Sequence, residues 1–154
     1  MLHLSKFLLP ESLHLFLSSQ KGDAALEEVM KLLQQDTRVS QWEELRKAIL
    51  ARPAFFLSAN DTETIIIYHG RTQSVQDLVM AVGRSDHGIA FEGSEQPVRL
   101  IFVAGIPHAL SNEYLRVIGS IARACKDTTT LEKLLSTKNS QEFIETLSSF
   151  IALS

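Results

Sequence analysis

The segment Thr64-Ile65-Ile66-Ile67-Tyr68-His69-Gly70-Arg71 ends a strongly β-favouring apolar run in an imidazole, a glycine and a guanidinium. A buried strand that stops at His69, followed by a glycine that lets backbone approach closely, would fix the ring at the rim of a sheet. Imidazole changes protonation near neutral pH, so a ring held there can act as base, nucleophile or metal ligand. The same residues also describe an ordinary strand that ends in a polar turn, and from this segment alone both readings stand.

Other groups able to join such chemistry lie elsewhere in the chain. Arg52 continues the apolar stripe of Trp42, Leu45 and Ile49, and Pro53 follows it. Proline disfavours helical geometry in the residue before it, so a helix should stop at Arg52 and leave a guanidinium at its end, on the core-facing side. Taken alone, this is a cation that complements the helix dipole. His69, His87 and His108 could converge on a metal, but they share no ligand spacing and no carboxylate pattern accompanies them, so no metal site is expected. His87, in a Ser-Asp-His-Gly turn, reads as a surface residue. Cys125 falls in a helical apolar stripe, which favours a packed thiol over a nucleophile. There is no Walker loop, dinucleotide glycine fingerprint, Cys-x-x-Cys, His-Glu-x-x-His or Gly-x-Ser-x-Gly. ATP-driven chemistry, structural zinc and serine hydrolysis therefore lack support, and no cofactor is expected.

These side chains need elements to hold them. Leu13-His14-Leu15-Phe16-Leu17 reads as a strand, with His14 partly exposed on it. Asp23 can cap a helix beginning at Ala24, in which Leu26, Val29, Met30 and Leu33 recur at helical spacing. After a turn at residues 36–39, Ser40-Gln41-Trp42-Glu43 has the form of a capping box that opens the helix ending at Arg52. Residues 54–57 make a short strand and 58–61 a loop before the strand at 65–69. Residues 77–83 are strand-like, 84–88 turn, 89–91 extend again and 92–97 loop. Residues 98–103 are apolar except Arg99, as in a central strand covered on both faces. A helix then starts at Ser111 or Asn112, with Tyr114, Ile118, Ile121 and Cys125 on one line and Leu115 and Ala122 beside it. Leu131, Leu134 and Leu135 mark a short helix, and Ser140 begins a last one with Phe143, Leu147, Phe150 and Ile151 inward. That order implies one α/β layered domain over residues 1–154, a mixed β-sheet flanked by helices on both faces.

Composition agrees. The chain has 154 residues, 45% hydrophobic and 21% charged, which is enough for one substantial core and too apolar for disorder. A formal charge of −3 without a basic block speaks against a nucleic-acid surface. No apolar run is long enough to cross a bilayer, so no membrane insertion is expected. Residues 1–9 are apolar but short, Pro10 and Glu11 follow, and no small-residue cleavage site appears, so a secretory leader is not expected. One cysteine cannot form an internal disulfide, which suits the cytoplasm.

Several segments in order carry a family resemblance: Leu9-Pro10-Glu11, the helix at 24–34, Ile49-Leu50-Ala51-Arg52, His69-Gly70-Arg71, Gly88-Ile89-Ala90-Phe91, Pro97-Val98-Arg99-Leu100-Ile101-Phe102 and Asn112-Glu113-Tyr114-Leu115. Over nearly its whole length the chain resembles the enzyme IIA domains of the bacterial phosphoenolpyruvate-dependent sugar phosphotransferase system. The match is to the fructose/mannitol type, which includes the nitrogen-regulatory enzyme IIA. The resemblance implies a type-2 enzyme IIA-like fold and a phosphocarrier whose histidine, here His69, takes a phosphoryl group from an HPr-like phosphocarrier protein. The group would then pass to an enzyme IIB, or serve as a regulatory mark on a partner protein. It also implies that Arg52 and Arg71 clamp the phosphoryl oxygens. A neutral imidazole is a competent nucleophile near pH 7, and arginine offers a planar fork of donors to phosphate. The chain departs from the family pattern in places: Tyr68 stands where proline usually precedes the histidine, Asn60-Asp61-Thr62-Glu63-Thr64 replaces a glycine-containing approach, the stretch from Arg52 to His69 is about one residue longer, and Tyr114 aligns with the family's second histidine. A phenol can donate to phosphate but cannot carry positive charge. His108, in Ile106-Pro107-His108, imitates the usual tripeptide but follows the wrong strand. The alternative reading is a regulatory binding module that transfers nothing and controls a partner by contact. A plain anion-binding domain is a third.

Overall fold

Ile65, Ile66 and Ile67 are 0%, 0% and 1% exposed. Successive side chains of a strand point to opposite faces, so burying all three requires a covering layer on both sides of the sheet. Each buried isoleucine contributes about 1.5–3 kcal/mol relative to an exposed one. The computed structural model describes residues 4–60, 62–109 and 111–153 and supplies those two layers.

After short helical turns at Leu4–Lys6 and Pro10–Ser12 come β1 (Leu13–His14), α1 (Gly22–Gln34), α2 (Trp42–Leu50), β2 (Phe55–Ser58) and β3 (Thr64–Thr72). β4 (Val79–Ile89), β5 (Val98–Pro107), α3 (Ser111–Lys126), α4 (Thr128–Ser136) and α5 (Ser140–Leu153) complete the chain. The sheet order is β1-β4-β5-β3-β2. β1 lies parallel to β4 and β3 parallel to β5, while the other neighbours are antiparallel. On one face Ala25, Val29, Met30 and Leu33 of α1 and Leu45 and Ile49 of α2 pack against Ile66, Val79, Ala81, Ile101 and Val103. On the other, Val117 and Ile121 of α3, Leu131 and Leu134 of α4 and Phe143 and Leu147 of α5 pack against Ile65, Ile67, Met80, Phe102 and Ala104. The expected mixed sheet between helical layers is what forms.

One close approach matters to everything built on β3. A Cβ placed on Gly70 would lie 2.6 Å from the Ile49 backbone nitrogen and 2.7 Å from the Ala48 carbonyl carbon. Its register partner Gly105 has the Leu45 side chain 3.1 Å from the same imagined atom. Two glycines side by side therefore form a trough that receives α2. Because backbone cannot yield as a flexible side chain can, Gly70→Ala should lower stability by ~1–3 kcal/mol in urea unfolding.

Several local expectations are revised. The first strand is only Leu13–His14, and Leu17 bonds back to the Arg84 carbonyl instead. Asp23 does not cap α1: the N-cap is Lys21, without a side-chain bond, and Asp23 sits in the first turn. The capping box does not form, because the Ser40 amide and hydroxyl both donate to the Ser74 carbonyl. α2 stops at Leu50, with Ala51 as its C-cap, so Arg52 lies beyond the helix and is exposed rather than core-facing. β3 does not end at His69 but continues to Thr72. Residues 84–88 do not turn; β4 passes through them, with a register irregularity between Arg84 and Ile89, and His87 is an exposed strand residue. Leu115, expected beside the buried line of α3, is 67% exposed. Residues 1–3 of the apolar opening and Asp61 of the 58–61 loop lie outside the described residues.

Arg84 explains why a strand can carry a charge here. It is 3% exposed, and its Nη1 donates to the Leu134 carbonyl at 2.8 Å and the Thr137 hydroxyl at 2.9 Å. Its Nη2 donates to the Thr137 carbonyl at 2.8 Å. A guanidinium on β4 thus satisfies the free carbonyls that every helix leaves at its C-terminus, in this case those of α4. Arg84→Ala should cost about 2–4 kcal/mol by stranding those acceptors. Arg84→Met, which restores volume but no donor, should recover only part of the loss in the same denaturation experiment.

Candidate functional site

Parallel neighbours end at the same rim of a sheet, and ligands of α/β folds tend to sit outside such carboxyl ends. Here β3 and β5 end together, with His69 opposite Ala104, Arg71 opposite Ile106 and Thr72 opposite Pro107. β2 covers β3 only as far as the pair Phe55↔Ile67. Pro53, lacking an amide hydrogen, could not carry that ladder on. The end of β3 therefore has a neighbouring strand on one side only, and the connection bearing Arg52 runs along the other.

Strand alternation then sorts the side chains. Tyr68 turns toward the α1/α2 layer, packed at the margin of that core. His69 and Arg71 turn the opposite way, toward the layer containing α3. There the His69 ring meets Tyr114, centroid to centroid at 5.1 Å with the planes inclined at 41°. Contacts of this kind hold two rings in a fixed mutual orientation. His69 is half-buried.

The electrostatics favour a neutral imidazole. Burial, and then the positive charge of Arg52, push the His69 pKa below its ordinary 6.5. Burial raises the Tyr114 phenol well above its usual range, with Arg52 pulling weakly in the other direction. Arg52 is thus close enough for its charge to act on both rings, although it comes from the far end of α2. Arg71 is exposed, and its Nη2 donates to the His108 carbonyl at 3.0 Å. His108 itself is exposed just past the end of β5. His87 lies near the opposite end of the sheet, since Ile89 pairs with Val98, the first residue of β5. Among the described residues no group of three His, Cys, Asp or Glu could hold a metal ion. Cys125 is fully buried and its thiol is pushed up to about 12 by that burial, in keeping with a packed side chain. No helix among those residues is long and apolar enough to cross a membrane.

The structure therefore brings His69 against Tyr114, with Arg52 within range for its charge to act on both rings, and places Arg71 at the same rim. Sequence reasoning missed two parts of the assembly. Gly105 completes the trough under α2, and the backbone carbonyl of His108 holds Arg71. A lone glycine in an apolar run gives a faint signal of close backbone approach. An acceptor 37 residues away along the chain gives none.

Residues 6–150 match the family model described as phosphoenolpyruvate-dependent sugar phosphotransferase system, EIIA 2. Over 143 residues the chain is 22% identical to the PTS system fructose-specific EIIABC component of Bacillus subtilis (strain 168); the alignment takes in 92% of this chain and 22% of that much longer protein. The nitrogen regulatory protein IIA-Ntr of Neisseria meningitidis superposes with a TM-score of 0.80 at 21% identity, covering 94% of this chain and 98% of that one. The Escherichia coli IIA mannitol structure gives 0.70 at 22% identity, covering 89% and 96%. The same protein has been solved in complex with phosphorylated enzyme IIB, and that structure matches with a TM-score of 0.71 at 21% identity, covering 90% of this chain and 95% of that one.

Proposed function

The chain belongs to the EIIA 2 family of the phosphoenolpyruvate-dependent sugar phosphotransferase system, and we propose that it is a phosphocarrier that accepts a phosphoryl group on His69. The donor is an HPr-like phosphohistidine protein. The acceptor is an enzyme IIB or a partner whose activity the phosphoryl mark controls. What supports this reading most is the half-buried His69 ring, inclined against Tyr114 and held neutral by burial and by Arg52.

The chemistry asks little more of the protein. The lone pair of a neutral His69 nitrogen attacks phosphorus as the donor's N–P bond breaks. The proton on the far nitrogen of the His69 ring is given up, and the donor's departing imidazole takes one up. Charge on the non-bridging oxygens is met by Arg52 and Arg71, whose guanidinium forks suit them. The Tyr114 hydroxyl can donate one further bond while staying neutral. The site is a cytoplasmic one in this reading, and the whole of residues 1–154 forms the carrier domain.

Incubation with phosphoenolpyruvate, enzyme I and an HPr-like protein should place an acid-labile phosphate on the chain. A second reading has one observation in its favour: Tyr114 remains an uncharged phenol where the resembling family has a histidine. In that case the domain controls a partner by contact alone. Failure of labelling with every donor tried would sink the carrier reading and leave the contact module.

A further inference from the structure

Resting on the phosphoacceptor reading of His69, we propose that Arg71 reports the phosphorylation state of the site to the connection between β5 and α3. With His69 bare, its guanidinium is anchored on the His108 carbonyl; with His69 phosphorylated, it turns to the phosphoryl oxygens and lets that carbonyl go.

Arg71 follows His69 by two residues on one strand, so both side chains leave the same face of the sheet. Their register partners, Ala104 and Ile106, lie in the same core cluster beneath α3. In the unmodified protein Nη2 donates to the His108 carbonyl at 3.0 Å, a charged donor on a neutral acceptor. A phosphoryl group brings about two negative charges and three strong acceptor oxygens to within reach of that guanidinium. Both bonds are charge-assisted, but the phosphoryl oxygens add the attraction of opposite charges and can accept the guanidinium fork in two parallel bonds, which one neutral carbonyl cannot. The exchange is therefore downhill once His69 is loaded.

The released anchor sits where it can be noticed. His108 stands just past β5, and α3 begins at Ser111. The first turns of α3 carry both Tyr114, against His69, and Leu115, 67% exposed. Loss of the Arg71 bond and a bulky charge beside the Tyr114 ring thus act on the same short connection from its two ends.

The test uses potassium phosphoramidate, which phosphorylates histidine without any protein donor, and the full chain labelled with carbon-13 and nitrogen-15. Phosphorylated wild type should show an upfield shift of the His108 carbonyl carbon, as a lost hydrogen bond requires, together with shifted Arg71 guanidinium nitrogens. Arg71→Lys, brought to the same occupancy by longer exposure, should show a several-fold smaller phosphorylation-dependent change at that carbonyl. A loaded wild type whose His108 carbonyl stays in place overturns the switch alone. A wild type that phosphoramidate does not label at His69 overturns the phosphoacceptor reading and the switch with it. A shift of equal size in Arg71→Lys overturns the part played by Arg71.

Discussion

Alanine at position 69 is expected to abolish acid-labile phosphate incorporation, a loss of more than about 10³-fold in initial rate. The nucleophile is removed outright, and no neighbouring side chain inherits its position. Tyr114, in contact with the ring, is a phenol held far from ionisation by burial. His108 is exposed beyond the end of β5, outside the alternation that turns His69 toward α3. Radiolabel transfer from an HPr-like donor, scored after acid and base treatment, is the measurement. His108→Ala should leave incorporation nearly as it was. Label that survives in His69→Ala and disappears in His108→Ala would move the phosphorylation site to His108 and refute the assignment.

The second large effect concerns Arg52. Its replacement by alanine should slow phosphoryl transfer by ~10²–10³-fold, the usual consequence of removing one preorganised charge from a developing oxyanion. A pH signature accompanies the loss. Burial is the first cause of the depressed His69 pKa and remains in the variant, but the repulsion between Arg52 and a protonated ring disappears. The His69 pKa then rises toward 6.5, so protonation sets in at higher pH as the solution is acidified. Since only the neutral ring attacks, the acid limb of the rate profile should move to higher pH. Arg52→Lys keeps the charge and loses the fork, so it should show an intermediate rate with the limb nearly unmoved. An Arg52→Ala variant with wild-type rate and an unshifted limb would remove Arg52 from the site.

The layered arrangement was legible because apolar runs announce strands and periodic stripes announce helices. Ile65, Ile66, Ile67 and the α1 stripe of Leu26, Val29, Met30 and Leu33 are buried as their spacing requires. Failures fell where a polar side chain has a partner far away in sequence. Arg84 resembles the start of a turn until Leu134 and Thr137 supply its acceptors. Ser40 resembles half of a capping box until the Ser74 carbonyl claims it. Arg52 follows the C-terminus of α2, as Pro53 requires, but is exposed rather than core-facing because the helix ends before reaching it. For the site, the apolar run that leads into His69-Gly70-Arg71 announces the strand that carries these residues, although that strand goes on to Thr72. The meeting of His69 with Tyr114 did not follow from spacing, since it depends on how β3, β5 and α3 come together.

That dependence has a kinetic side. β3 gains its inner neighbour only from β5, and a parallel pair cannot be joined by a hairpin; the chain passes first through β4, which lies on the far side of β5. Such non-local pairing is among the slower events in folding. Tyr114 follows later still in chain order. A nascent chain emerging from the ribosome therefore carries its imidazole well before the phenol that meets it has been made.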